Sequence, residues 1–213
     1  MKYIYIVGNS RSGTNLISRV LSNHYSILTL SELHFFEGLI TKNEISNNIK
    51  WSKKKLINLV ENLFIRSEPF QGFQEKKNQK YTKLSSKIIN SSDIYNPIIA
   101  YKKFIEYKLS EYPNKTIFCE QTPRYLFYTD EILKNFENVF IINMIRDPRD
   151  ILLSQKNKWK ICFRGNKNIP LTEAVRSWSN YHPIITSYIW KSCILESLKF
   201  NSNKNFINIK FEE

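Results

Sequence analysis

The chain has 213 residues, about the length of one large domain, and 42% of them are hydrophobic, enough to bury a core and to exclude a wholly disordered protein. It carries 32 basic and 19 acidic residues, a formal net charge of +13, which favours an anionic partner without identifying one. Lysines outnumber arginines three to one, 24 to 8. Because a guanidinium group is a planar fork suited to phosphate-like anions, we look for function where the few arginines occur.

Several classes of protein are disfavoured at once. No apolar run approaches the ~20 residues that span a bilayer, and the N-terminus lacks the apolar stretch and cleavage site of a signal peptide, so we expect a cytoplasmic protein. Three cysteines without metal-binding spacing (Cys119, Cys162 and Cys193) are expected to be free thiols. With only three histidines as well, we expect no metal site.

Short apolar strands alternate with amphipathic helices along the chain. A β-rich run over 3–7 predicts a strand, followed by a small-residue loop and a helix over 15–23. In the middle of the chain we predict a strand over 27–30 and one or two helices over 44–65. A polar surface excursion over 71–92 and another helix over 98–112 follow. In the remainder, strands are predicted over 116–119, 138–145 and 206–211, and the strand over 138–145 is strongly apolar. Helices are predicted to begin at 120–124, with Pro123 in the first turn, and at 151–153. A further helical stretch covers 171–198, with a possible break at Pro183.

This alternation predicts an α/β fold, a parallel sheet with helices on both faces, in a single domain over 1–213. Ligands of such sheets bind at the carboxyl ends of the strands. Four of the eight arginines fall in segments that begin at such ends, so we expect those segments to converge on one crevice: Arg11, Arg124, Arg146 and Arg149.

The loop after the first strand runs from Gly8 to Asn15 and has the Gly-x4-Gly spacing of a P-loop. Its backbone amides and the start of the following helix make a cradle for a phosphate-like group. A nucleotide kinase would have Lys and then Ser or Thr after the second glycine, but Thr14 and Asn15 stand there, and Arg11 supplies the cation.

A second segment, Arg146-Asp-Pro-Arg-Asp150, follows the most apolar strand. Arg146 and Ser154 can both reach one dianionic group, because they are eight residues apart across a turn and the start of a helix. Arg146 would bind the group with its forked guanidinium, and Ser154 would donate a hydrogen bond from its neutral hydroxyl. Asp147 or Asp150 can cap that helix and hold the arginines.

Together these two segments resemble the motifs of the sulfotransferases that use 3′-phosphoadenosine 5′-phosphosulfate (PAPS), in particular the bacterial-type branch with a Pro-Arg-Ser-Gly-Thr-like loop. The matching stretches are Asn-Ser-Arg-Ser-Gly-Thr-Asn over 9–15 and Ile-Arg-Asp-Pro-Arg-Asp-Ile-Leu-Leu-Ser over 145–154. Further similarities are Glu-Leu-His-Phe-Phe over 32–36, Gln-Thr-Pro over 121–123, where the family tends to have Lys-Thr-Pro, and Trp178 and the closing 209–213.

The resemblance implies a P-loop-type fold, PAPS as co-substrate and no metal. It assigns the 5′-phosphosulfate to the loop and the 3′-phosphate to the later segment, and so predicts the binding residues Arg11, Ser12, Gly13, Thr14, Asn15, Arg146 and Ser154. Arg11 would also stabilise charge during transfer. Glu32 is our first choice for the base that takes the acceptor proton, and His34 is our second. Because Gln121 replaces the family's lysine, a cation is missing there, unless Arg124 substitutes.

Members of the family usually continue beyond the position of Glu213 through further helices and a loop over the nucleotide. We therefore expect either a fragment or a minimal form with an open cofactor site. The segment 41–112 is expected to be a helical insertion on the acceptor side, and nothing in it identifies the acceptor, which we expect to be a small molecule, glycan or lipid.

Two other functions fit parts of the sequence less well. A P-loop kinase lacks its lysine at Thr14. Nucleic-acid binding is suggested by the net charge and by lysine-rich stretches over 50–55 and 76–87, but such stretches are more often solvated surface, so we do not expect nucleic acid to be the partner.

Overall fold

The computed structural model describes residues 1–30, 32–46, 49–68, 79–91, 94–156 and 182–213. The predictions for Cys162 and Trp178, and for the first part of the helical stretch 171–198, lie outside these residues. Within them, none of the helices combines the length and apolar character needed to cross a membrane.

Five parallel strands form the sheet, in the spatial order β2-β3-β1-β4-β5. Their bounds are β1 Lys2–Gly8, β2 Ile27–Leu30, β3 Ile117–Gln121, β4 Val139–Ile145 and β5 Phe206–Lys210. The predicted parallel α/β sheet is therefore confirmed. Strand β1 lies between β3 and β4, and Gly8 pairs with Met144, so the loops that leave β1 and β4 are neighbours at the carboxyl edge.

The helices that the structure describes connect these strands. Their bounds are α1 Thr14–Ser22, α2 Lys42–Ser46, α3 Lys53–Ser67, α4 Gln79–Asn90, α5 Pro97–Ser110, α6 Thr129–Asn135, α7 Pro148–Lys156 and α8 Pro183–Leu198. A π-helical turn covers Phe35–Leu39, and a 3₁₀ helix covers Pro123–Tyr128. Pro123 begins that 3₁₀ helix where the sequence predicted the start of an ordinary helix, and α6 follows it directly.

Alternating strand residues pack on opposite faces of the sheet, as expected for strands buried on both sides. On one face Ile6 and Met144 contact α1 through Ile17. On the other face Tyr5 packs among the aromatic rings of the larger core, including Phe36 at 6.4 Å between centroids. The sheet is thus covered by helices on both faces, as predicted.

Helix α4 lies where the sequence predicted a polar surface excursion over 71–92, so that prediction is wrong for 79–90. The helix is largely polar, but Tyr81 stacks on Phe64 of α3 at 5.5 Å, and Ile89 is fully buried. Packing against α3, rather than helix propensity, accounts for α4.

Helices α2 to α5 all belong to the connection between β2 and β3. Two of them begin with side-chain caps: the Ser52 side chain accepts from Lys55 N–H at the start of α3, and Asn96 accepts from Ile98 N–H at the start of α5. Most of the described residues of 41–112 lie in these four helices.

Candidate functional site

The loop between β1 and α1 has a conformation that two glycines make possible. Gly8 has φ 142°, and a Cβ there would lie 2.5 Å from the carbonyl oxygen of Met144. Gly13 has φ 93°, and a Cβ there would lie 2.3 Å from the ring of Phe211. Only glycine fits either position without displacement of its neighbours. The loop is thereby pressed against β4 and the residue after β5.

The backbone of this loop and the start of α1 present donors to a ligand. Arg11 has a left-handed backbone, φ 73°, which is strained for a residue with a side chain. The first turn of α1 contains no acidic residue, and its leading N–H groups have no partner within the helix. A phosphate-like group is the natural ligand of such a turn.

Both residues of the predicted 3′-phosphate pair contact Arg11. The Arg11 Nε donates a hydrogen bond to Ser154 Oγ at 2.9 Å, and Arg146 Nη1 donates to the Arg11 carbonyl oxygen at 3.3 Å. Two guanidinium groups and a hydroxyl therefore meet at one edge of the sheet. In the part of the chain that the structure describes, no carboxylate lies within 4 Å of the Arg11 guanidinium.

The Arg146 guanidinium is held by neighbours on several sides. It lies over the ring of Phe211, 4.4 Å from the centroid, and its Nη2 is 3.8 Å from a carboxylate oxygen of Asp150. The indole N–H of Trp190, on α8, donates to the Arg146 backbone carbonyl at 2.9 Å. These contacts orient the group before any ligand arrives.

The remaining residues of the motif after β4 have structural contacts. Asp147 Oδ1 accepts from the Arg149 N–H at 2.8 Å and so caps α7, as predicted. The exposed Arg149 side chain pairs with the same carboxylate, and this pairing lowers the pKa of Asp147 to about 2. Among the described residues, the side-chain hydrogen bonds of Arg149 all go to Asp147.

The predicted loop residues differ in their exposure. Asn15 is exposed, whereas Thr14 and Ser12 are buried, and the Ser12 N–H donates to the Asn9 carbonyl at 3.2 Å. Thr14 Oγ1 accepts from Gln121 Nε2, on β3, at 3.0 Å. Gln121, which stands where the family tends to have a lysine, therefore holds the first residue of α1 by a neutral hydrogen bond.

A small cavity lies beneath the loop, with room for about one water molecule. Its lining includes four buried polar atoms without a hydrogen-bond partner among the described residues: Asn9 Nδ2, Ser12 Oγ, Asn143 Oδ1 and Arg146 Nε. This cavity is too small to hold a nucleotide.

A second group of charged side chains follows β2 and is centred on His34. His34 Nε2 lies 3.1 Å from a carboxylate oxygen of Glu32, and its Nδ1 is hydrogen-bonded to Glu37. Hydrogen bonds to these carboxylates, Glu32 foremost, raise the pKa of His34 to about 9. The imidazole is therefore protonated at neutral pH and lies between two acidic side chains.

Arg124 belongs to this second group and not to the loop. Its exposed guanidinium Nε lies 3.2 Å from Glu37 Oε2. Arg124 thus pairs with an acidic residue of the His34 group, so the suggestion that it replaces the missing lysine beside the loop gains no support. Sequence reasoning missed Glu37 entirely; its only sequence signal is its position three residues after His34.

Strand β3 links the two groups of side chains. Gln121 contacts Thr14 of the loop, and the preceding residue, Glu120, points to the opposite face, where it accepts a hydrogen bond from the Leu33 N–H at 3.1 Å. The loop around Arg11 and the residues around His34 thus both lie against the carboxyl end of β3. Glu120 itself carried no signal in the sequence analysis.

The fold is that of an α/β protein of the P-loop type, with Arg11, Arg146 and Ser154 in contact where β1 and β4 end. A family model described as the sulfotransferase family matches residues 4–182, and the chain belongs to that family. A search of curated proteins found no significant match.

Solved structures of low sequence identity have a similar fold. They include the sulfotransferase domain of the Synechococcus PCC 7002 olefin synthase (14% identity, TM-score 0.56), that of the curacin biosynthetic pathway (17%, 0.53), and a sulfotransferase from Alicyclobacillus acidocaldarius (18%, 0.50). The alignments cover 100%, 99% and 100% of this chain and 66%, 67% and 74% of those chains. This chain therefore spans about two thirds of the first two.

Proposed function

We propose that the protein transfers the sulfuryl group of PAPS to a hydroxyl or amine acceptor by in-line displacement. The observation that carries this proposal is the meeting of Arg11, Arg146 and Ser154 at the P-loop-type turn. Two cationic groups at a loop that already offers backbone donors suit a ligand with two separate anionic groups, as PAPS has.

In this proposal the loop over 11–15 holds the 5′-phosphosulfate, and Arg146 and Ser154 hold the 3′-phosphate. Ser154 accepts a hydrogen bond from Arg11, so one hydroxyl would join the residues at both anionic ends of the nucleotide. The Arg146 guanidinium is already oriented by the Phe211 ring, which reduces the conformational entropy lost when a ligand binds.

The transfer breaks the bond between sulfur and the oxygen that bridges it to the 5′-phosphate, and forms a bond between sulfur and the acceptor oxygen or nitrogen. Arg11 and the loop amides stabilise the negative charge that develops on the bridging oxygen of the departing bisphosphate. The acceptor loses a proton, which a base must take.

Glu32 is the better of the two candidate bases. His34 is protonated at neutral pH because hydrogen bonds to Glu32 and Glu37 raise its pKa to about 9, so it has no free lone pair to receive a proton. The Glu32 side chain is 43% exposed and therefore open to an acceptor. In this assignment the imidazolium orients Glu32, and Glu37 orients the imidazolium.

The helical segment 41–112 is our proposed acceptor side. It begins shortly after Glu32 and His34, and the Lys42 ammonium on α2 donates to the Phe127 carbonyl at 2.6 Å, so it lies close to the 3₁₀ helix that carries Arg124. The kinase alternative has less support, because the Thr14 hydroxyl, at the position of the lysine in a nucleotide kinase, is buried and paired with Gln121.

Calorimetric titration with adenosine 3′,5′-bisphosphate, the product left by PAPS, tests the proposal. We expect binding that persists in EDTA and weakens about 10- to 100-fold in Arg146→Ala, the range for loss of a charged hydrogen bond. Arg149→Ala is the matched control, since that arginine belongs to the same motif but pairs with Asp147, and it should bind normally.

The same titrations with ATP and Mg²⁺, and with an oligonucleotide, separate the alternatives. Sulfotransfer from labelled PAPS to a panel of hydroxyl and amine acceptors then tests the reaction. Failure of the wild type to bind the bisphosphate, or equal losses in the two arginine variants, would contradict the proposal.

A further inference from the structure

A fully buried carboxylate, Glu120, lies behind the residues around His34, and no step of the proposed reaction uses it. Its Oε1 accepts from the Leu33 N–H at 3.1 Å and from the Thr122 hydroxyl at 2.8 Å, and its Oε2 accepts from the Tyr101 hydroxyl. Burying a carboxylate is unfavourable unless hydrogen-bond donors satisfy it. We therefore ask what the donors that bind Glu120 gain from it.

Glu120 is one of three side chains that hold the backbone on both sides of His34. The Tyr125 hydroxyl, from the 3₁₀ helix, accepts from the Phe35 N–H at 2.6 Å. Arg66, from α3, donates to the Leu33 carbonyl at 2.9 Å. The backbone N–H groups before and after His34, and the carbonyl before it, are thus all bonded to side chains from other elements.

His34 needs such support because its own backbone is strained. It has φ 53°, in the left-handed region that residues with side chains seldom adopt. Such a conformation persists only when the surrounding structure imposes it. The same conformation directs the His34 ring to its contacts with Glu32 and Glu37.

We propose that Glu120 is a positioning residue: by fixing the Leu33 N–H it holds His34 in its left-handed conformation and so aligns Glu32 for removal of the acceptor proton. The inference rests on the proposed function for the role of Glu32, but the effect of Glu120 on the geometry of His34 does not depend on it.

The test compares Glu120→Ala with Glu120→Gln. The glutamine keeps an acceptor for Leu33 and Thr122 and offers an N–H to the Tyr101 oxygen, whereas alanine removes every contact. We expect kcat to fall about 100-fold in Glu120→Ala, the order of loss for a displaced catalytic group, with the KM for PAPS little changed. Glu120→Gln should restore most of the activity.

The His34 pKa, measured by NMR on the imidazole C–H, supplies a readout that does not depend on sulfotransfer. It should fall from about 9 towards 6.5 in Glu120→Ala as the ring leaves its carboxylates, and stay high in Glu120→Gln. Ile132→Ala is the matched control, because it removes a buried side chain of the same core from α6 while all the hydrogen bonds of Glu120 remain, and it should leave both readouts unchanged.

If Glu120→Ala fails to fold, Glu120→Asp replaces it, since one methylene less withdraws the carboxyl group from the Leu33 N–H while keeping a carboxyl group at this position. A wild-type His34 pKa in the alanine or aspartate variant would overturn the inference, as would an equal shift in Ile132→Ala. A shifted pKa in Glu120→Ala, together with a wild type that transfers no sulfuryl group, would contradict the proposed function and leave the positioning by Glu120 standing.

Discussion

The contacts of His34 make the stability of the fold depend on pH. Its pKa is raised from 6.5 to about 9 by Glu32 and Glu37, so the folded state binds a proton more tightly than the unfolded chain. The stabilisation is fully present below pH 6.5 and is lost as the pH rises through about 9. The free energy of unfolding of the wild type should therefore decrease between pH 6.5 and about 9, and replacing His34 by Asn should abolish that decrease.

The size of this effect follows from the gap between the two pKa values and from the exposure of the ring. The gap corresponds to at most about 3 kcal/mol at 1.36 kcal/mol per unit. The His34 side chain is 38% exposed, and solvent screens its ion pairs to a fraction of that value. We expect about 1 kcal/mol of the free energy of unfolding to disappear between pH 6.5 and 9.

Urea unfolding at several pH values from 6 to about 9.5 measures this effect, as the difference between the wild type and His34→Asn. Asparagine is the appropriate replacement because it tolerates the left-handed backbone conformation at this position. Glu37→Gln removes one of the two carboxylates and should give an intermediate decrease. A difference that does not vary with pH would refute the reasoning, since it would mean that the ring does not lie between its carboxylates in solution.

Three further predictions test other parts of the molecule. Glu32→Gln should bind the bisphosphate with the wild-type Kd but lose transfer by at least about 100-fold, and near-normal turnover would remove Glu32 from the role of base. Gly8→Ala should lower the free energy of unfolding by about 1–3 kcal/mol from backbone strain alone, with a further loss from contact with Met144, measured by urea titration. Asn96→Ala should cost about 1 kcal/mol in the same assay, because the cap of α5 is lost, and Asn96→Asp should retain most of it.

Much of the sheet could be predicted because its inner strands β1, β3 and β4 are largely buried and therefore read as short apolar runs. The run over 138–145 is the clearest case and corresponds to β4, Val139–Ile145. Helix α4 was not predicted because most of its residues are polar, although Tyr81, Leu84 and Ile88 recur at helical spacing. These side chains pack against the core, where Tyr81 stacks on Phe64 of α3.

The candidate site was predictable only as far as its residues form local motifs. Arg11, Arg146 and Ser154 belong to two such motifs, and the structure brings them into contact. Glu37 and Glu120 belong to none. A buried carboxylate becomes recognisable only when its donors are known, and the Leu33 N–H that Glu120 accepts comes from 87 positions away.

The ring of Phe211, which supports both Gly13 and Arg146, has a consequence for how the protein matures on the ribosome. Arg11 and Arg146 are separated by 135 positions, and the ring that both segments rest on is synthesised later still. A nascent chain that has released β1 to β4 holds most of the sheet, yet the loop after β1 does not have the Phe211 ring to pack against. The conformation of this loop is therefore completed only when the strand that precedes Phe211 joins β4.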